Sequence, residues 1–171
     1  PSDDAFEITR GMCAALAHAH AENIIHSDFK PGNVFVTNRG MAKVFDFGIA
    51  RVAGPGSETD VTRLALTHAG ELLGTPRYMS PEQALGHELD HRSDLFSLGA
   101  VLYEMAAGRP AFDGSSVATL ALQITGTEPP PILSDPECPR GLQHIIQKLL
   151  AKLPKQRFAD AQALADALKR E

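Results

Sequence analysis

Cysteine is scarce in this chain: Cys13 and Cys138 are the two thiols among 171 residues. They have neither metal-site nor redox spacing, which argues against a zinc module or a disulfide framework and for buried thiols in a reducing compartment. A basic excess is missing too. Sixteen Lys and Arg stand against 21 Asp and Glu, a net charge of −5, so there is no electrostatic case for nucleic acid or an anionic membrane surface. Long apolar runs are lacking. The longest, 95–107, is too short to span a bilayer and is broken by Glu104. No signal-peptide pattern and no internal repeat is visible. The length suits one domain, able to bury roughly 70% of its unfolded surface. These features lead us to expect a cytoplasmic protein with no membrane contact from this segment, any anchor lying elsewhere in a longer parent. Oligomeric state is left open.

What is present is concentrated in one stretch, His26-Ser27-Asp28-Phe29-Lys30-Pro31-Gly32-Asn33. It follows a helical pattern and precedes a β pattern, Val34-Phe35-Val36-Thr37. Pro31 and Gly32 force a tight loop between an acid, a cation and a carboxamide. A second signal, Asp46-Phe47-Gly48, follows the next β pattern at 42–45. A hairpin closed by Asn38-Arg39-Gly40 would bring Asn33 and Asp46 to the same end of neighbouring strands, with Gly40 supplying a positive φ. Magnesium takes oxygen ligands, usually one or two carboxylates completed by phosphate oxygens. Asn33 and Asp46 offer such oxygens. Asp28 can then face a hydroxyl and Lys30 a phosphate. Phosphoryl transfer, which depends on positioning and charge stabilisation, needs this set of parts.

The remaining sequence reads mainly as helices. Phe6, Cys13, Leu16 and His20 recur at helical spacing, with Met12 beside them and Asn23 as a left-handed stop. Periodicity is weak over 46–82, a length that marks a functional or disordered segment. Asp94 opens a helix apolar on nearly every side, hence buried, which Gly108-Arg109-Pro110 ends. Ser115 or Ser116 starts another helix. Pro129-Pro130-Pro131 makes an extended connector, and helices follow at about 140–153 and 160–169.

The loop resembles the catalytic loop of eukaryotic-type protein kinases, and Asp46-Phe47-Gly48 their metal-binding tripeptide. Gly74-Thr75-Pro76-Arg77-Tyr78-Met79-Ser80-Pro81-Glu82 is similar to the end of the kinase activation segment, and Asp94-Leu95-Phe96-Ser97-Leu98-Gly99 to the start of the helix beyond it. The motifs agree in order and spacing across nearly the whole chain, with the flavour of bacterial serine/threonine kinases. The resemblance implies a mainly α fold, the C-terminal lobe of a kinase over 1–171. It is a helical bundle with a short β-hairpin at the catalytic loop (26–33), and an activation segment over 46–82. It also implies ATP with Mg²⁺ or Mn²⁺ as cofactors and proteins with Ser/Thr hydroxyls as partners. Nucleic acid is not expected as a partner.

The family's roles carry over residue by residue. Asp28 is the expected catalytic base, and Lys30 contacts the transferred phosphate. Asn33 and Asp46 are the expected metal and nucleotide ligands. Thr75 supports hydroxyl substrates by bonding the acid and the lysine. Five residues are expected to be structural. His26 packs and bonds inside the loop, and Phe47 orients Asp46. Asp94 holds the loop backbone, and Glu82 with Arg157 forms a buried ion pair. Taken singly, each has a plainer account: a turn residue, a solvated cation, a helix N-cap for Asp94.

Two departures from the family pattern stand out. Ser27 occupies a position where many kinases carry an arginine that grips a phosphate, and Ser80 replaces an alanine, a change expected to be harmless. No glycine-rich phosphate loop and no strand lysine paired with a helix glutamate occur before His26. The expectation is therefore a large lobe whose small lobe is absent, and which is inactive alone. Two alternatives compete. One is a non-catalytic, kinase-like docking or regulatory module. The other is a small-molecule phosphotransferase of aminoglycoside or choline type, which Lys30 and the 74–82 segment disfavour.

Overall fold

Helix α1 (Ser2–Ala21) shows one face to the interior, with Thr9, Met12, Cys13 and Leu16 buried. The computed structural model describes residues 2–47, 51–52, 76–132 and 138–170; for 2–4 and 51–52 it describes the backbone alone. Burial pushes the Cys13 thiol up to about 12, so it is an inert core group, whereas Cys138 is only half-buried, contrary to the sequence reading. Asn23 ends the helix with φ 58°, as its small polar side chain allows.

Strand β1 (Ile24–Ile25) follows directly, then the loop, then β2 (Val34–Val36) and β3 (Ala42–Val44). These two form the expected antiparallel hairpin, Val34 opposite Val44 and Val36 opposite Ala42. Gly40 turns it with φ +75°. The Thr37 carbonyl accepts from Gly40 N–H, and its hydroxyl accepts from Met41 N–H. A short pairing of β1 with β4 (Arg51–Val52) was not anticipated.

Beyond the hairpin the fold is helical: α2 (Pro81–Ala84), α3 (His91–Ala107), α4 (Val117–Gly126), α5 (Arg140–Leu149) and α6 (Ala161–Leu168). The centre of the core is α3, buried continuously from Ser93 to Tyr103. Gly108 stops it in the left-handed conformation, φ 66°. Its start differs from expectation: Asp90 is the N-cap, accepting from Arg92 N–H, and Asp94 lies in the first turn. Ser116 and Asp160 cap α4 and α6. Helix α1 packs on α6 and on the hairpin, and α3 packs on α5. No described helix is long and apolar enough to cross a membrane.

Close approach of α3 and α5 depends on Gly99. A Cβ there would lie 2.6 Å from Leu149 Cβ and 3.4 Å from its carbonyl carbon. Gly99→Ala is therefore expected to destabilise the fold by about 1–3 kcal/mol, overpacking outweighing the gain in helix propensity. Urea unfolding checks this; an unchanged midpoint would contradict it.

Candidate active site

The loop at 26–33 is held by its own backbone groups. Ser27 has φ 66°, a left-handed conformation that reverses the chain between β1 and the functional side chains. The Asp94 carboxylate accepts from His26 N–H at 2.8 Å and from Ser27 N–H at 2.9 Å. His20 Nε2 lies 2.8 Å from the same carboxylate. Because Asp90 caps α3, Asp94 is spared for the loop, which decides between the two accounts of it offered by sequence. His20, legible only as a periodic residue of α1, is in fact a polar partner on a buried face.

His26 is fully buried and joins the loop to the hairpin. Its Nδ1 accepts from Asp28 N–H (3.3 Å), so its Nε2 is the protonated atom donating to the Phe45 carbonyl (3.0 Å). The ring meets Phe29 edge-on, centroids 5.7 Å apart, and Phe47 at 4.6 Å. Phe45 N–H in turn donates to the Asn33 carbonyl at 2.8 Å. One residue past Phe45, Asp46 thus sits beside Asn33 at the open end of the hairpin. Its φ of 61° is a conformation a non-glycine residue adopts at some strain.

Lys30 Nζ contacts Asp28 Oδ2 at 2.6 Å, both side chains partly exposed. Asn33 is buried, and its Nδ2 donates to the Asp28 carbonyl at 2.9 Å. That bond fixes the carboxamide, so Oδ1 is the atom turned away from it. The loop thereby gathers Asp28, Lys30 and Asn33, and the hairpin brings Asp46 next to Asn33. No group of three His, Cys, Asp or Glu side chains forms a metal cage among the described residues. The donor set is one carboxylate and one amide oxygen, which suits a magnesium ion whose remaining ligands are phosphate and water.

The ion pair beneath the loop is fully developed. Arg157 pairs with Glu82 through two bonds, 2.7 and 2.8 Å. Its remaining donors go to the carbonyls of Ala151, Arg92 and Lys152. All five guanidinium N–H groups are therefore used. The ring of Phe96 lies 4.9 Å from the guanidinium carbon. Burial pushes the Glu82 carboxyl up, but bonds from Arg157 and Ser93 and the arginine charge outweigh it, and it titrates below its ordinary range.

Ser80 does more than replace an alanine. It caps α2 in a reciprocal box with Gln83, whose side chain also reaches the Ser27 carbonyl at 2.6 Å. Nothing in the sequence pointed to Gln83. Thr75 and most of the 46–82 segment lie outside the described residues.

The sequence that builds this site is similar to that of curated relatives. Residues 1–168 match the protein kinase domain family. A probable serine/threonine-protein kinase of Streptomyces coelicolor is 42% identical over 156 residues, 91% of this chain and 22% of that protein. PknB of Bifidobacterium longum is 40% identical over 159 residues, 92% of the chain and 22% of the relative. For PknA of Mycobacterium tuberculosis the values are 38% over 154 residues, 90% and 33%. The chain thus spans between a fifth and a third of the length of these relatives. With the match running through the loop, the hairpin and the buried ion pair alike, the chain belongs to the protein kinase domain family.

Proposed function

We propose that this chain carries the phosphoryl-transfer half of a protein serine/threonine kinase. Asp28 accepts the proton of a Ser or Thr hydroxyl as that oxygen bonds to the γ-phosphorus of ATP. The bond from the γ-phosphorus to the bridging oxygen breaks, and ADP leaves. Lys30 neutralises charge on the phosphoryl oxygens. Asn33 Oδ1 and the Asp46 carboxylate hold Mg²⁺ (or Mn²⁺), which stabilises the phosphate charge when bound. Thr75 is assigned to the hydroxyl side of the site. The observation that supports this most strongly is the 2.6 Å approach of Lys30 to Asp28, with Asn33 bonded to the backbone of the same aspartate. The test is transfer of the γ-phosphate of labelled ATP by the full-length protein to Ser/Thr substrates in Mg²⁺. We expect phosphoserine or phosphothreonine that disappears on chelation; no transfer to any protein would overturn the reading.

Ser27 bears on regulation. Its hydroxyl is buried and makes no hydrogen bond among the described residues, and it has no charge to grip a phosphate. Replacing Thr59, Thr62 and Thr67, threonines of the 46–82 segment that could carry such a phosphate, by alanine is expected to leave turnover within a few-fold of the parent. A collapse in initial rate would reject this.

A further inference from the structure

We propose that Gln83 is a positioning residue for the proton acceptor. Its side-chain amide fixes the peptide plane between Ser27 and Asp28, and so the direction of Asp28, from the helix that ends the 46–82 segment. The proposal rests on the reading of Asp28 given above.

The geometry leaves little choice of orientation for that amide. Gln83 is buried on α2, and its Oε1 accepts from Ser80 N–H at 2.9 Å. The oxygen is therefore committed to a donor, and Nε2 faces the Ser27 carbonyl at 2.6 Å. On the other side of the same peptide, Asp28 N–H donates to His26 Nδ1 at 3.3 Å. Both polar ends of this one peptide unit are held. Ser27 itself stands at φ 66°, where a residue with a Cβ is strained and tends to return to extended backbone. Rotation of the Ser27–Asp28 peptide, a change of ψ at Ser27 and of φ at Asp28, would break both bonds and bury a carbonyl without a partner. Ser27 Oγ makes no hydrogen bond among the described residues, so there the residue is fixed through its backbone. Asp94 and His26 hold N–H groups. The carbonyl is held by Gln83, among the described residues. A shift of α2 would therefore reach the base through a single bond.

Two variants of the full-length protein separate this role from stability. Gln83→Met keeps the volume and removes the amide. Ser80→Ala removes the cap hydroxyl but leaves the backbone N–H that holds Gln83. We expect Gln83→Met to lower kcat about 10- to 100-fold, as slight misplacement of a reacting group does, with KM for ATP and peptide almost unchanged. Amide deuterium exchange over 26–30 should be faster. Ser80→Ala should keep kcat close to the parent and exchange over 26–30 unchanged, even with an equal or larger fall in Tm. A Gln83→Met variant with parental kcat, or losses of kcat in both variants that follow their Tm, would overturn the proposal. Should Gln83→Met fail to fold, Gln83→Glu keeps the oxygen facing Ser80, loses the donor, and carries the same expectations. If the parent transfers no phosphate, the kinase reading falls, and the exchange measurement decides the clamp by itself. Faster exchange in Gln83→Met but not in Ser80→Ala upholds it, and unchanged exchange sinks it.

Discussion

Asp28→Asn in the full-length protein is expected to lower phosphotransfer turnover by about 10²–10⁴-fold, the contribution of a positioned general base. The substitution preserves shape and removes the capacity to take a proton, together with the charge that pairs with Lys30. The backbone carbonyl of residue 28, which Asn33 uses, is untouched. Asn33 and Asp46 remain as the proposed metal ligands, so KM for ATP should change little. Initial rates at saturating ATP and peptide, in Mg²⁺, provide the check. A variant retaining a tenth or more of parental kcat would show that Asp28 is not the group receiving the proton. Lys30→Met should also reduce kcat, since it removes both the charge that faces the phosphoryl oxygens and the cation paired with Asp28.

The second large effect concerns stability. Arg157→Leu should destabilise the fold by roughly 3–5 kcal/mol, because it leaves the Glu82 carboxylate buried without its partner. The variant also strips donors from the carbonyls of Ala151, Arg92 and Lys152. Replacing both Glu82 and Arg157 by apolar residues should cost less than the single change, since no buried charge is then left alone. The pH dependence has a definite sign. The folded-state carboxyl of Glu82 titrates below its ordinary value of 4.5, so its contribution is complete above that pH and is lost as pH falls through the lower folded value. In Arg157→Leu the unpaired carboxyl is pushed upward by burial, and stability should instead fall as pH rises through the raised value. Urea unfolding between pH 3 and pH 8 distinguishes the two profiles. Equal midpoints for parent and Arg157→Leu at neutral pH would show that the pair contributes nothing.

The parts of the fold that were legible in the sequence are those governed by local chemistry. Gly40 marked the hairpin because its turn needs a positive φ, and Asn23 and Gly108 marked helix ends for the same reason. The apolar residues around α3 announced a buried helix. Spacing alone carried Asn33 to Asp46, since the hairpin register is set by its short turn. What was hidden depends on contacts distant in sequence. Helix α5 was expected to run to residue 153 but ends at Leu149. No glycine or proline follows at once to stop it. Instead the carbonyls of Ala151 and Lys152 are taken by Arg157, a tertiary event. Asp90 and Asp94 are equally good caps on paper, and only the position of the loop assigns them. Gln83 has no local signature, because its partner lies 56 residues earlier. The pairing of β1 with β4 is two residues long, too short for any alternation to register.

Asp94 has a thermodynamic consequence of its own. Two loop amides terminate on a carboxylate rooted in the most deeply buried helix. Opening the loop therefore takes two of the three hydrogen-bond partners from a buried carboxylate and leaves it, among the described residues, His20 alone, which ties the loop to the interior as one cooperative unit.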